Sequence, residues 1–157
     1  MKFTAEYRVD THQTDMNGRA TVSAVLQYMQ ETAYLQHWAF GPTINELLAD
    51  GKAFVLSRAA MDLRKPQFEQ DRVTVSSWLN LARGYGYYRN SILKRGEEVV
   101  AEMTAFWGVI GVESRRPLLA EEVKLGFGTD DDTVSVTTPL RFRPPKEVPL
   151  AKLGSHC

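Results

Sequence analysis

Cysteine is all but missing from this chain: the single one, Cys157, is the last of 157 residues. No disulfide can close within it, and the composition suits a reducing compartment. Histidine is nearly as scarce, with His12, His37 and His156 far apart in sequence. A metal centre asks for several His, Cys or carboxylate ligands at fixed spacing, so neither a metal nor a cofactor is expected. An excess of charge of one sign is also lacking, since 19 basic residues balance 19 acidic ones. Without a net field the chain has no general attraction for nucleic acid or an anionic membrane. No stretch approaches the roughly 18 apolar residues that cross a bilayer, and MKFTAEYRVD has no apolar core of a secretory signal. These absences together describe a cytoplasmic protein whose recognition is local.

What is present is a core. Hydrophobic residues make up 43% of the chain and three of them are Trp, too apolar for disorder, and the length suits one domain. FTAEYRV (3–9) alternates at period two and reads as a strand. Val22, Val25, Leu26, Met29 and Ala33 recur at helical spacing, and Gly41-Pro42 stops that helix. Thr43 and Glu46 form a capping-box pattern that opens a short helix, INELLAD, closed by Gly51. Four strand patterns follow at 53–64, 72–82, 85–94 and 99–112, joined by short turns at 82–84 and 94–97, so neighbours are expected to pair antiparallel. On the second of these Val73, Val75, Ser77, Leu79 and Leu81 share a face. On the last, Val99, Ala101, Met103, Ala105, Trp107 and Val109 do.

One strand, one long helix and a run of antiparallel strands predict an α+β domain of the hotdog kind, with the helix wrapped by a curved sheet. On that helix Ser23, Gln27, Gln30, Glu31, Tyr34 and Trp38 form a polar and aromatic face expected to meet solvent or another surface. The segment 84–88, GYGYY, lacks the Lys and helix of a phosphate loop and is expected to let its strand bend. Boundaries are expected at 1–125 for the domain and 126–157 for a linker-like tail that holds four of the seven prolines. His156-Cys157 in that tail has nothing to hold a thiol against a base and is not expected to be a nucleophile.

The turn TDMNGRATVSAVLQYMQETA, the segment GKAFVLSRAAMDLRK and the strand end FWGVIGVESRRPL, in this order and spacing, resemble the N-terminal hotdog of fatty acyl-ACP thioesterases. The resemblance covers about residues 3–123. It implies hydrolysis of a fatty acyl thioester to free acid and carrier thiol, with acyl carrier protein or coenzyme A thioester as partner and no cofactor. Members of that family usually carry two fused hotdogs, and their catalytic pattern, Asp-x-Asn-x-His with a later Cys or Glu, belongs to the second. This chain is therefore expected to act as the acyl-binding half, either as a homo-oligomer or paired with a second hotdog. Compared with that pattern, Asp15, Asn17 and Arg19 keep the Asp and Asn but place Arg where His stands. Asp15 and Asn17, beside a helix N-terminus whose free N–H groups can hold an oxyanion, are the catalytic candidates, with Arg19 beside them. Arg cannot serve as a general base near neutral pH. Asp and Asn before a helix are also preferred cap and turn residues, and Asn-Gly supplies the positive φ that a tight turn needs.

An acyl site has to exchange water for hydrocarbon along its walls, which calls for apolar and small side chains. Leu26, Met29 and Ala33 on the helix, with Val55, Ser57, Ala59, Met103 and Ala105 on the strands, are the candidate acyl-tunnel residues. The same residues would also serve as plain core. Arg64-Lys65, Arg83, Lys94-Arg95 and Arg115-Arg116 are candidate docking points for an acidic carrier or a phosphopantetheine, or simply solvated charge. A non-catalytic acyl-binding or carrier-docking module is the alternative reading, favoured by the missing His. A dehydratase or hydratase is weaker, because it wants a His paired with an acid at the helix, and His37 lies far along it.

Overall fold

A computed structural model of the chain describes residues 1–136. Strand β1 (Phe3–Arg8) leads into helix α1 (Val22–Phe40), the short helix α2 (Ile44–Ala49) and four long strands, β2 (Lys52–Leu63), β3 (Arg72–Arg83), β4 (Gly86–Arg95) and β5 (Glu98–Gly111). The strands form one antiparallel sheet in the order β1-β3-β4-β5-β2, and α1 packs on one face of it, giving the α+β hotdog architecture. β1 and β2 are the two edges of the sheet.

Local chemistry sets the element ends. Thr21 caps α1 by accepting from the Ala24 amide at 3.0 Å, and Gly41, at φ 77°, ends the helix by donating to the His37 carbonyl. The expected capping box of α2 forms, with Thr43 and Glu46 each accepting the other's amide at 3.1 and 3.0 Å. β3 and β4 turn through Gly84-Tyr85, and β4 and β5 through Gly96-Glu97, with both glycines at positive φ.

The principal core joins the first half of α1 (Ala24, Val25, Leu26, Tyr28, Met29) to Val73, Val75, Leu93, Ala101 and Met103 of the sheet. Alternation on β3 holds from Val73 to Leu79 and then breaks. The register shifts between Leu79 and Ala82, so Leu81 turns outward and is exposed. Val22, read as part of the apolar stripe, is exposed at the first turn of α1. Past Met29 the buried stripe becomes polar: Thr32 and Gln36 are fully buried, each held by a hydrogen bond, Tyr7 to Thr32 at 2.9 Å and Gln36 to the Met1 carbonyl at 3.2 Å. The polar and aromatic face is where it was expected, with Ser23, Gln27, Glu31, Tyr34 and Trp38 exposed and Gln30 half-buried. Tyr34 and Trp38 stack there at 6.3 Å.

Residues 126–136 have no regular secondary structure, yet they lie against the domain. Phe127 is buried, Gly126 donates to the Gly41 carbonyl, and the Asp132 carbonyl accepts from Trp78, Asn80 and Asn90 on the outer face of the sheet. The rest of the expected tail, including His156 and Cys157, lies outside the described residues.

Candidate functional site

Where α1 turns from apolar to polar, the interior divides. The principal core fills the space under the first half of the helix, while two smaller clusters, around Leu79 and Tyr87 and around Leu47 and Val109, lie beyond its second half. Between them is a cavity of about 270 Å³. Ala33, Tyr34 and His37 of α1 form one wall, Ile44, Leu47 and Leu48 of α2 another, and Phe54, Leu79, Arg89 and Trp107 of the sheet the floor. Most of this surface is hydrocarbon. Tyr34, Ile44 and Leu48 are about half exposed and mark a mouth between the two helices, whereas Leu79 and Arg89 are buried and mark the closed end.

Arg89 is the unusual feature of this wall. It sits on β4 on the same face as Tyr87, Ser91 and Leu93, so strand alternation sends its guanidinium inward. Nη1 donates to Gln36 Oε1 at 2.8 Å and to Ser77 Oγ at 2.9 Å, and Nη2 reaches His37 Nε2 at 3.1 Å. Burial alone lowers its pKa to about 9, so it is a cation at neutral pH, and no carboxylate pairs with it among the described residues. A buried charge without a counter-ion is unfavourable by several kcal/mol unless polar partners replace water. Here three neutral acceptors do so.

His37 completes the cluster. Its Nδ1 lies 3.0 Å from the Pro42 carbonyl, which can only accept, so Nδ1 carries the proton and Nε2 accepts from Arg89. Burial and then the charge of Arg89 lower its pKa to about 4. The ring packs edge-on to Phe127 at 5.0 Å and near Phe54 at 5.8 Å.

The turn at 15–19 is elsewhere. Asp15, Asn17 and Arg19 are exposed ahead of α1, and the Asp15 carboxylate is engaged in its own turn, accepting from the amides of Asn17 at 2.8 Å and Arg19 at 3.1 Å. From Val22 to Ala33 the helix rises about 16 Å, so the turn and the cavity lie at opposite ends of α1. Of the candidate tunnel residues, Ala33 lines the cavity. Leu26, Met29 and Met103 lie in the principal core, Ala105 is buried in β5, and Val55, Ser57 and Ala59 run along the edge strand β2, with Ser57 at its bulge. Of the basic residues read as candidate docking points or solvated charge, Arg64, Lys65 and Arg95 are paired with their own acidic neighbours.

Sequence reasoning missed Arg89 and the part of the wall supplied by α2. One signal was available, since an Arg at an inward position of an alternating strand is a buried charge that needs a reason.

The model of the acyl-ACP thioesterase N-terminal domain matches residues 1–124. The chain belongs to this family. Among solved structures, this thioesterase-family hotdog is similar to an acyl-ACP thioesterase from Bacteroides thetaiotaomicron, at 20% identity and a TM-score of 0.77 over 90% of this chain and 58% of that one. It thus spans somewhat more than half the length of that relative. It is also similar to Slr0204, a 1,4-dihydroxy-2-naphthoyl-CoA thioesterase from Synechocystis, at 20% identity and a TM-score of 0.69 over 76% of this chain and 89% of that one. A third similar structure is SAV2348 from Staphylococcus aureus in complex with CoA, at 12% identity and a TM-score of 0.71 over 78% of each chain. Comparison with proteins of curated function returns no match. Among the described residues no helix is long and apolar enough to cross a membrane.

Proposed function

We propose that this hotdog holds the acyl chain of a fatty acyl thioester, as the acyl-binding part of an acyl-ACP thioesterase that releases free fatty acid and carrier thiol. The observation that carries the reading is the cavity of about 270 Å³ between α1, α2 and the sheet, walled largely by hydrocarbon and open between Tyr34, Ile44 and Leu48. At about 0.8 kcal/mol per buried methylene, an eight-carbon chain drawn from water into such a wall gains several kcal/mol. The family supports a thioester substrate, and the carrier is acyl carrier protein or coenzyme A. Pairing with another hotdog, in a homo-oligomer or with a second half, would supply the water-activating group.

A second reading, a binding or carrier-docking module without hydrolysis of its own, is favoured by one observation. The Asp15 carboxylate is engaged by its own turn, far from the cavity, and Arg19 offers no base.

Titrating the purified chain with octanoyl- and palmitoyl-loaded carrier while following thiol release tests both. Saturable binding of an acyl carrier, but not of carrier alone, supports the acyl-binding reading, and its absence overturns it. Thiol release that disappears in Asp15→Ala assigns hydrolysis to this chain, whereas binding without release assigns the module.

A further inference from the structure

A cavity meant for a plain hydrocarbon tail needs no charge at its closed end, yet this one has a guanidinium there. We propose that the cavity is built for an aliphatic chain ending in a carboxylate, with the carboxylate seated on Arg89 and the chain running past Leu79, Phe54 and Leu47 to the mouth at Tyr34, Ile44 and Leu48. The inference rests on the acyl-binding reading above and specifies the chemistry of that site.

Three observations carry it. Arg89 lines the cavity while being 3% exposed overall, so what it presents to the space is presented to a guest and not to bulk water. Its charge is held by neutral acceptors, Gln36, Ser77 and His37, and a guanidinium has five N–H donors. Three are used, which leaves two for a ligand, and a carboxylate is a group that a guanidinium holds through charge-assisted N–H···O bonds. His37, fixed with Nε2 as acceptor, contributes no competing negative charge and keeps the guanidinium from swinging away. The size fits as well: at the roughly 30 Å³ that a water-sized group occupies in a liquid, 270 Å³ accommodates about nine carbon-sized groups.

Two sources share this chemistry. One is a free medium-chain acid, the product of thioester hydrolysis, entering carboxylate first. The other is an acyl thioester whose far end carries a second carboxylate, because a carrier too large for the cavity must stay outside and only the distal end can reach Arg89.

Calorimetric titration of the intact chain with octanoate, 1-octanol, octanoyl-CoA and suberyl-CoA separates these. Octanoate is expected to bind at least about tenfold more tightly than 1-octanol, the step that one charge-assisted pair supplies. In Arg89→Gln that preference is expected to vanish while 1-octanol binding stays. A preference for suberyl-CoA over octanoyl-CoA identifies the distal carboxylate as the ligand group, and preference for octanoate alone identifies the free acid. Equal binding of octanoate and 1-octanol to the wild-type chain overturns the proposal, leaves acyl binding intact and requires no variant to fold. Binding of none of the four overturns this inference and the acyl-binding reading together.

Discussion

Acidification offers a direct test of the buried cluster, because His37 is held neutral by its surroundings. In the folded chain its pKa is about 4, against an ordinary 6.5, through burial first and the charge of Arg89 second. The unfolded chain therefore takes up a proton near pH 6.5 while the folded chain refuses it until about pH 4, so the unfolded state binds more protons throughout that window. Stability should be level above pH 6.5 and fall as the pH drops toward 4. Full traverse of the window corresponds to about 3 kcal/mol, and lowering the pH from 7.5 to 5 should cost about 2 kcal/mol through this one group. The exposed carboxylates of Asp50 and Glu98, held low by hydrogen bonds from Lys52 and Lys65, act in the same direction, but only as the pH falls through the ordinary carboxylate range near 4 and below. Urea unfolding at pH 7.5, 6 and 5, on the wild-type chain and on His37→Gln, isolates the imidazole. The wild-type midpoint should fall steadily over this range and the variant's should hardly move. Equal slopes for the two proteins, or a His37 imidazole that titrates by NMR near pH 6.5, would refute the argument and with it the placement of His37 against Arg89.

Three further predictions concern other parts of the chain. A Cβ at position 86 would lie 2.3 Å from the Trp107 carbonyl oxygen, so Gly86→Ala should destabilise by about 1 to 3 kcal/mol in urea unfolding, and an unchanged midpoint would remove the close approach of β4 and β5. Asp15→Ala deletes the acceptor of two turn amides and should lose about 1 kcal/mol of stability while acyl binding, measured by calorimetry, stays within error. Ala33→Leu places three further carbons in the cavity wall and should weaken octanoyl-carrier binding by about 2 kcal/mol, roughly 30-fold, with little change in thermal midpoint; unaltered affinity would mean that the chain lies elsewhere.

Much of the frame was legible because each element carries its own local signal. The Thr43/Glu46 capping box, the Gly41 stop and the short glycine turns at 84 and 96 each specify a backbone conformation that few other residues supply, and all three appear as expected. Strand limits came within a residue or two for the same reason. What alternation did not reveal were departures from it: the register shift past Leu79 that turns Leu81 outward, and the second half of α1, where Thr32 and Gln36 take buried positions that an apolar stripe would have filled. Gly86 shows a related limit. Its sequence context suggested a bend, but the requirement is steric, set by Trp107 and Phe106 on the neighbouring strand β5.

The candidate site was less legible for a physical reason. Core and cavity use the same residue types, and whether Leu26 or Leu47 meets a neighbour or an empty space depends on how far α1 stands off the sheet. Composition says nothing of that distance. The charge pattern does carry information about it. A guanidinium at an inward strand position cannot sit in a closely packed apolar layer, so the layer has to open around it and polar groups have to converge on it. Gln36 and His37 come from the second half of α1 and Ser77 from β3, and all three sit on Arg89. The buried polar turn of α1, the standoff from the sheet and the cavity are thus one arrangement, and Arg89 is the residue around which it is organised.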